Sequence, residues 1–289
     1  PPIQSKGARK SAQKRLRFSG RQTASLTKTA KPVLLRGRGL ALAWLACTIP
    51  LLAGFVLPVL FMLRPLLGEW TQLQLAPFGH WALNSLRLGL LTAVLASAVA
   101  VALGLLVRIR PHGATQWLAR AIGLGYAVPG AVVVVGLLLP LDWVRQVWPE
   151  SPLGALLTAT SLGLVWAYLV RFSSVALQSV QSGYSRIPRS LDESAQLLGC
   201  HGWALLARVH WPLLRRPVAA AALLVFVDVM KELPATLVLR PFNSDTLAVM
   251  AYQLARDERL GEAALPALAL VLVGLAPVIL LSRTLRSGR

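Results

Sequence analysis

The sequence predicts an all-α integral membrane protein of six transmembrane helices, and three observations carry that expectation. The 289-residue chain is 55% hydrophobic and 14% charged, with a mean hydropathy of +0.61, whereas soluble domains carry about 25% charged residues. Several uninterrupted apolar runs reach the roughly 20 residues that cross a bilayer. Basic residues gather in alternate loops, so the positive-inside rule puts both termini in the cytoplasm.

The net charge of +19 is unevenly placed: residues 1–38 hold eleven Lys/Arg and no acid. This segment is rich in Ser, Lys, Arg and Gln, has no periodic apolar positions and is expected to be disordered. It reads as a cytoplasmic basic tail or linker that fixes topology and rests on anionic lipids, in preference to a nucleic-acid binder. The opening Pro1-Pro2-Ile3, without a methionine, reads as a processed product or a piece of a longer polypeptide.

Residues 39–289 are expected to form one six-span domain. The first span is Leu40 to Leu63, 24 residues without a charge. An external stretch, 64–82, follows with Trp70, His80 and Trp81. The second span runs from Leu83 to Val107, where Ala93, Ser97, Ala100 and Gly104 make a small-residue stripe suited to close helix packing. Arg108, Arg110, His112 and Arg120 mark an inside loop. The third span, Ala121 to Leu141, carries Pro129-Gly130, a kink that serves either a gate or nothing beyond ordinary membrane-helix proline usage. The fourth, Pro152 to Val170, has Arg171 at its inner end and continues as helix to Tyr184.

The loop 185–217 is the longest polar interruption after the tail, with five basic residues to two acidic, again inside. Ser190 and Glu193 have capping-box spacing, with Pro188 at a helix entry. Gly199 reads as a helix stop, and Pro212 as the end of a second short helix beginning near Trp203. The expected product is a helix–glycine–helix elbow with small Ala195 and Gly199 open to close approach. The fifth span, Val218 to Leu239, holds Asp228, Lys231, Glu232 and Pro234, charges that are costly at membrane depth. Asp228 and Lys231 are three apart and can pair; Glu232 has no partner in its own helix. Two readings stand: carboxylates lining a translocation path, or a self-neutralising cluster steadied by a neighbouring span. The loop 240–262 is external, with a short amphipathic segment at Thr246–Leu254, and the sixth span is Ala263 to Leu281.

Cys47 and Cys200 form no disulfide framework. His201 and His210 lack metal-ligand spacing and read as incidental loop residues. The chain contains no phosphate-binding Gly-X4-Gly-Lys-Ser/Thr loop, no Gly-X-Ser-X-Gly and no His-Glu-X-X-His. The carboxylates have no histidine or metal set beside them for acid–base work, so no catalysis is expected.

Glu193-Ser194-Ala195, Gly199 and Val209-His210-Trp211-Pro212 together resemble the EAA loop of binding-protein-dependent ABC importer permeases, with Ser194 and Trp211 at positions usually Ala and Leu. The resemblance covers roughly residues 83–281 and implies a type I importer permease fold and alternating access. It assigns Glu193, Ser194, Ala195, Gly199, Val209 and Pro212 to coupling with an ATPase subunit. ATP and Mg would sit on that partner, with no cofactor or metal on this chain. It further implies a periplasmic solute-binding protein and a second six-span half in a bacterial inner membrane. Pro129, Gly130 and Pro234 are gating candidates; Asp228, Lys231 and Glu232 are path candidates. Asn84-Ser85-Leu86 and Val227–Leu237, with Arg240-Pro241 and Asp245–Ala248, are similar to ferric-iron permeases, in which two halves are fused; this chain then matches the second half. Permeases for thiamine, phosphonates, polyamines, sulfate or molybdate share the general pattern. An ATPase-independent secondary transporter, which usually shows repeated broken helices, is the competing class.

Overall fold

The computed structural model describes residues 36–69, 71, 73 and 75–286, with the backbone alone for Leu153, Val278, Leu280 and 281–286. The basic tail up to Leu35, Trp70 and the final residues 287–289 lie outside the described residues. Among the described residues every regular element is helical. The chain divides into two units, Pro1–Val56 and Leu57–Arg289. The first contains α1 (Arg38–Leu51) and a π-turn, Leu52–Val56. The turn follows Pro50, where a missing N–H already interrupts the helical ladder.

The second unit begins with α2 (Leu57–Gly68), α3 (Leu75–Ile109) and α4 (Gly113–Gly123). Next come α5 (Gly130–Val147), the short α6 (Leu153–Ala159) and α7 (Ser161–Tyr184). The elbow is α8 (Arg189–Leu197) and α9 (Gly202–Leu205), leading through a π-turn, Leu206–His210, into α10 (Trp211–Met230). The remainder is α11 (Pro234–Leu239), α12 (Leu247–Arg256) and α13 (Leu260–Arg286). The core lies where α3, α7 and α10 pack on one another, centred on Ala96, Ala100, Leu164, Tyr168, Val180, Leu214, Ala221 and Val225. The expected stripe on α3 makes this possible: Ala93, Ser97, Ala100 and Gly104 are all buried. A Cβ on Gly104 would stand 2.8 Å from the Tyr184 ring, so only glycine admits α7 at that distance. Leu90, Val94, Leu139 and Trp166 face outward instead, as the helix surfaces of a bundle in apolar surroundings do.

Among the described residues, five helical stretches are long and apolar enough to cross a membrane: Arg38–Gly68, Leu75–Ile109, Gly130–Val147, Ser161–Tyr184 and Leu260–Pro277. The expected fifth span is not among them. Its helix, α10, starts at Trp211, carries Arg215, Arg216 and Asp228, and stops at Met230 instead of running to Leu239. Pro234 causes that stop, since it has no N–H to donate and its ring clashes with the carbonyl four residues back. The expected third span is likewise two pieces. Val128 is extended (φ −81°, ψ 124°), as a residue before proline prefers, and Pro129 is the cap from which α5 starts. The kink expected at Pro129 is therefore a full break. The fourth span breaks at Thr160, whose hydroxyl accepts a hydrogen bond from the Leu162 N–H and so caps α7. Beyond Arg171 the helix continues to Tyr184, as expected, so Arg171 lies in the interior of α7.

Two further bonds tie segments distant in sequence. Asn84 Nδ2 on α3 donates to the Asp245 carbonyl at 3.1 Å, and Ser85 Oγ accepts from the Leu247 N–H at 2.8 Å. Thr246 caps α12 through the Val249 N–H, so the amphipathic segment expected at Thr246–Leu254 is a helix held to α3 by its first turn.

Candidate functional site

The elbow has the helix–glycine–helix form expected, with different punctuation. Gly199 sits at φ +83°, the left-handed conformation that glycine alone enters freely. The Cys200 N–H donates to the Ala195 carbonyl at 2.9 Å and the Gly199 N–H to the Gln196 carbonyl at 3.0 Å, the pair of bonds of a Schellman stop. The capping box is not formed. Pro188, extended at ψ 147°, caps α8 itself, so Ser190 already lies inside the helix, where its carbonyl accepts from Ser194 Oγ at 2.8 Å. Pro212 does not end the second limb either: it stands in the first turn of α10, where its absent N–H costs nothing. Glu193 and Ser194 are exposed, while Ala195 and Val209 are half-buried. The tip around Gly199 is apolar and open, with Leu197 90%, Leu198 85% and Trp203 78% exposed.

Beneath the elbow is a cluster that sequence reasoning missed. Arg108, in the last turn of α3, donates from Nε to Asp192 Oδ2 at 2.5 Å. It donates from Nη1 to the Tyr184 carbonyl at 3.0 Å and from Nη2 to the Ile187 and Pro188 carbonyls at 2.9 and 3.2 Å. The other Asp192 oxygen meets His210 Nε2 at 2.9 Å, and the His210 ring stands edge-on to Tyr184 with centroids 5.3 Å apart. His210, read from the sequence as incidental, is fully buried. Burial pushes the Asp192 carboxyl up, but the bonds from Arg108 and His210 outweigh it and hold the group below its ordinary value. A signal for Arg108 did exist: it lies four residues beyond Gly104, on the buried stripe of α3. Among the described residues no group of His, Cys, Asp and Glu could hold a metal ion.

The second cluster lies at the helix breaks. Three of the candidates converge there: a Cβ on Gly130 would lie 2.6 Å from Glu232 Oε1 and 3.4 Å from Pro234 Cβ. The partner that Glu232 lacked in its own helix is Arg171 of α7, with which it forms a buried ion pair. Glu232 Oε1 also accepts from the Ala235 N–H at 3.3 Å, in the first turn of α11. Thr236 Oγ1 donates to the Glu232 carbonyl at 2.6 Å and meets the Tyr168 hydroxyl at 2.6 Å. Asp228 and Lys231 pair at 2.8 Å, as their spacing predicts, with Lys231 largely exposed. They stand outside the Gly130–Glu232–Pro234 group. At 1.5 Å per residue, the 20 residues of α10 put the elbow and this cluster about 30 Å apart.

A family model described as binding-protein-dependent transport system inner membrane component matches residues 100–286. The chain belongs to that family. This permease chain is 28% identical over 178 residues to the Fe(3+)-transport system permease protein FbpB 2 of Haemophilus influenzae, covering 61% of the chain and 33% of that relative. It thus spans about a third of the length of that relative. It is 25% identical over 258 residues to the putative 2-aminoethylphosphonate transport system permease protein PhnV of Salmonella typhimurium, covering 84% of the chain and 93% of the relative. The maltose/maltodextrin permease protein MalG of Yersinia pestis is 29% identical over 180 residues, 60% of the chain and 55% of that protein. In fold the permease is similar to a chain of a bacterial alginate ABC transporter solved with an alginate pentasaccharide-bound periplasmic protein. The TM-score is 0.68 at 15% identity, over 83% of this chain and 91% of that one. Several apolar helices and membership of this family make it a multi-pass membrane protein.

Proposed function

We propose that the chain is the membrane subunit, or half-subunit, of an ATP-driven importer that receives solute from a periplasmic binding protein and moves it across the bacterial inner membrane by alternating access. The observation that carries this reading is the elbow: a Schellman-stopped helix whose apolar tip, Leu197, Leu198 and Trp203, is open beside Gly199. Apolar side chains so exposed at a loop apex fit a cleft on another subunit, here the ATPase, on which ATP and Mg are bound. Glu193, Ser194, Ala195, Gly199, Val209 and Pro212 belong to that coupling loop, and ATP hydrolysis falls to the partner. Residues 39–289 are the permease domain, with α10 and α11 as the broken fifth crossing and both termini cytoplasmic; residues 1–38 are a basic tail on anionic lipid. A second six-span half completes the pathway. In this reading Glu232 lines the path with Pro129, Gly130 and Pro234 at its gate, supported by the two helix breaks and the buried ion pair that meet at Gly130; Asp228 and Lys231 are path residues on their charge alone.

The solute we propose is ferric iron. The run Val227–Leu237, with Arg240-Pro241 and Asp245–Ala248, supports it alongside the similarity to the Haemophilus permease. A second reading, a small phosphonate, is favoured by the greater share of the chain that matches the Salmonella permease. ATP-dependent uptake into proteoliposomes holding the whole transporter and its binding protein separates them. Uptake of radiolabelled ferric iron with no uptake of 2-aminoethylphosphonate supports the first, and the reverse result overturns it.

A further inference from the structure

We propose that the Arg108–Asp192–His210 cluster is the joint through which movement of the elbow reaches α3, so that these residues set how much solute moves per ATP. The inference rests on the importer reading and adds a mechanical route within it. By covalent connection the elbow belongs to α7 on one side and α10 on the other. Nothing in the chain order links it to α3, yet α3 is one of the three core helices.

The link is made by one side chain. Asp192 is the buried residue of α8; the rest of that helix is exposed or half-buried. The helix is therefore not attached by an apolar face, and its inward hold is the pair of carboxylate oxygens on Arg108 and His210. Arg108 in turn reaches the carbonyls of Tyr184, Ile187 and Pro188, which are the end of α7 and the turn before α8. One planar guanidinium thus grips four points across the α7–α8 junction, a geometry a lysine ammonium cannot reproduce. Beside the joint, α3 and the elbow are held apart by a cleft of about 420 Å³ between Leu106, Ile109 and Arg110 on one side and Gln196 and His201 on the other. The loop on either side of α8 packs into the core through Ile187 and Leu206; α8 itself buries only Asp192, so a displacement of that helix is passed to α3 by the bond from Asp192 to Arg108. His210 closes the route on the other limb, since it precedes α10 and bonds the same carboxylate.

Asp192→Asn keeps the shape but puts an N–H₂ donor against one of its two partners. Arg108→Lys keeps the charge but loses the fork. Each variant is reconstituted as the complete transporter with its binding protein, and ATP hydrolysis and solute uptake are measured in the same vesicles. The expected result is ATPase retention and hydrolysis within about twofold of wild type, with solute moved per ATP lowered tenfold or more. An unchanged ratio in both variants overturns the joint while leaving the importer reading intact. Parallel loss of hydrolysis and uptake, or loss of folded protein in both variants, also overturns it, because the cluster then only supports the fold. A wild-type chain that retains no ATPase removes the importer reading, and the joint with it.

Discussion

Arg171→Met tests whether the buried pair holds the helix breaks together. The substitution removes the cation and keeps an apolar side chain of comparable length, leaving the Glu232 carboxylate 7% exposed beside Gly130 and Pro234. Removing one partner of a buried ion pair costs about 3–5 kcal/mol, because the remaining charge is uncompensated. Replacing both with apolar residues is often neutral or stabilising by about 1–4 kcal/mol. Here that gain is offset by the lost cap on the Ala235 N–H, worth about 1 kcal/mol, so Arg171→Met/Glu232→Leu should lie near wild type. At about 2–4 °C per kcal/mol, the single variant should melt about 6–20 °C below wild type in detergent, followed by tryptophan fluorescence. The double variant should recover most of that loss. A single variant that melts with wild type, or a double variant as unstable as the single, refutes the argument.

Ser85→Ala should leave the buried Leu247 N–H without its acceptor, at about 1–3 kcal/mol; the check is faster protease cleavage at the start of α12, with α7 unaffected. The depressed acidity of Asp192 fixes a pH dependence. Its contribution is complete above the ordinary carboxylate value of about 4 and is lost as pH falls through the still lower folded value. Hydrogen exchange in α8, corrected for intrinsic rates, should therefore be flat from pH 8 to 5 and accelerate below about 4, and Asp192→Asn should abolish the step.

Much of the architecture was legible because it follows from periodicity and from single-residue backbone chemistry. The α3 stripe, the Gly199 stop, the Asp228–Lys231 pair and the α12 helix each rest on spacing within one element. The breaks were less legible. Val128-Pro129 sits inside an apolar stretch, where hydropathy continues smoothly across a point at which the helix does not, and Leu233-Pro234 follows Lys231 and Glu232, charges that a single long span also accommodates. The elbow's caps differ from expectation for a related reason: Pro188 supplies the helix entry that Ser190 and Glu193 also match, and the chain uses the earlier one. The two clusters needed tertiary structure. Arg108 and Asp192 are 84 residues apart, and neither the aspartate nor the buried histidine has a local pattern that names its partner. Arg171 and Glu232 meet only because α5, α7 and α11 converge at a glycine.

An elbow that seats in an ATPase subunit should hold that subunit through co-purification. The chain would be co-expressed with its ABC ATPase and a tagged partner half, comparing wild type with Gly199→Glu in mild detergent. Gly199 is in open space at φ +83°, so glutamate there both strains a left-handed position and adds charge to the apolar tip. Retention of the ATPase by wild type and its loss in Gly199→Glu, with equal membrane abundance, is the predicted result. Equal retention by both chains, or none by wild type, would contradict it.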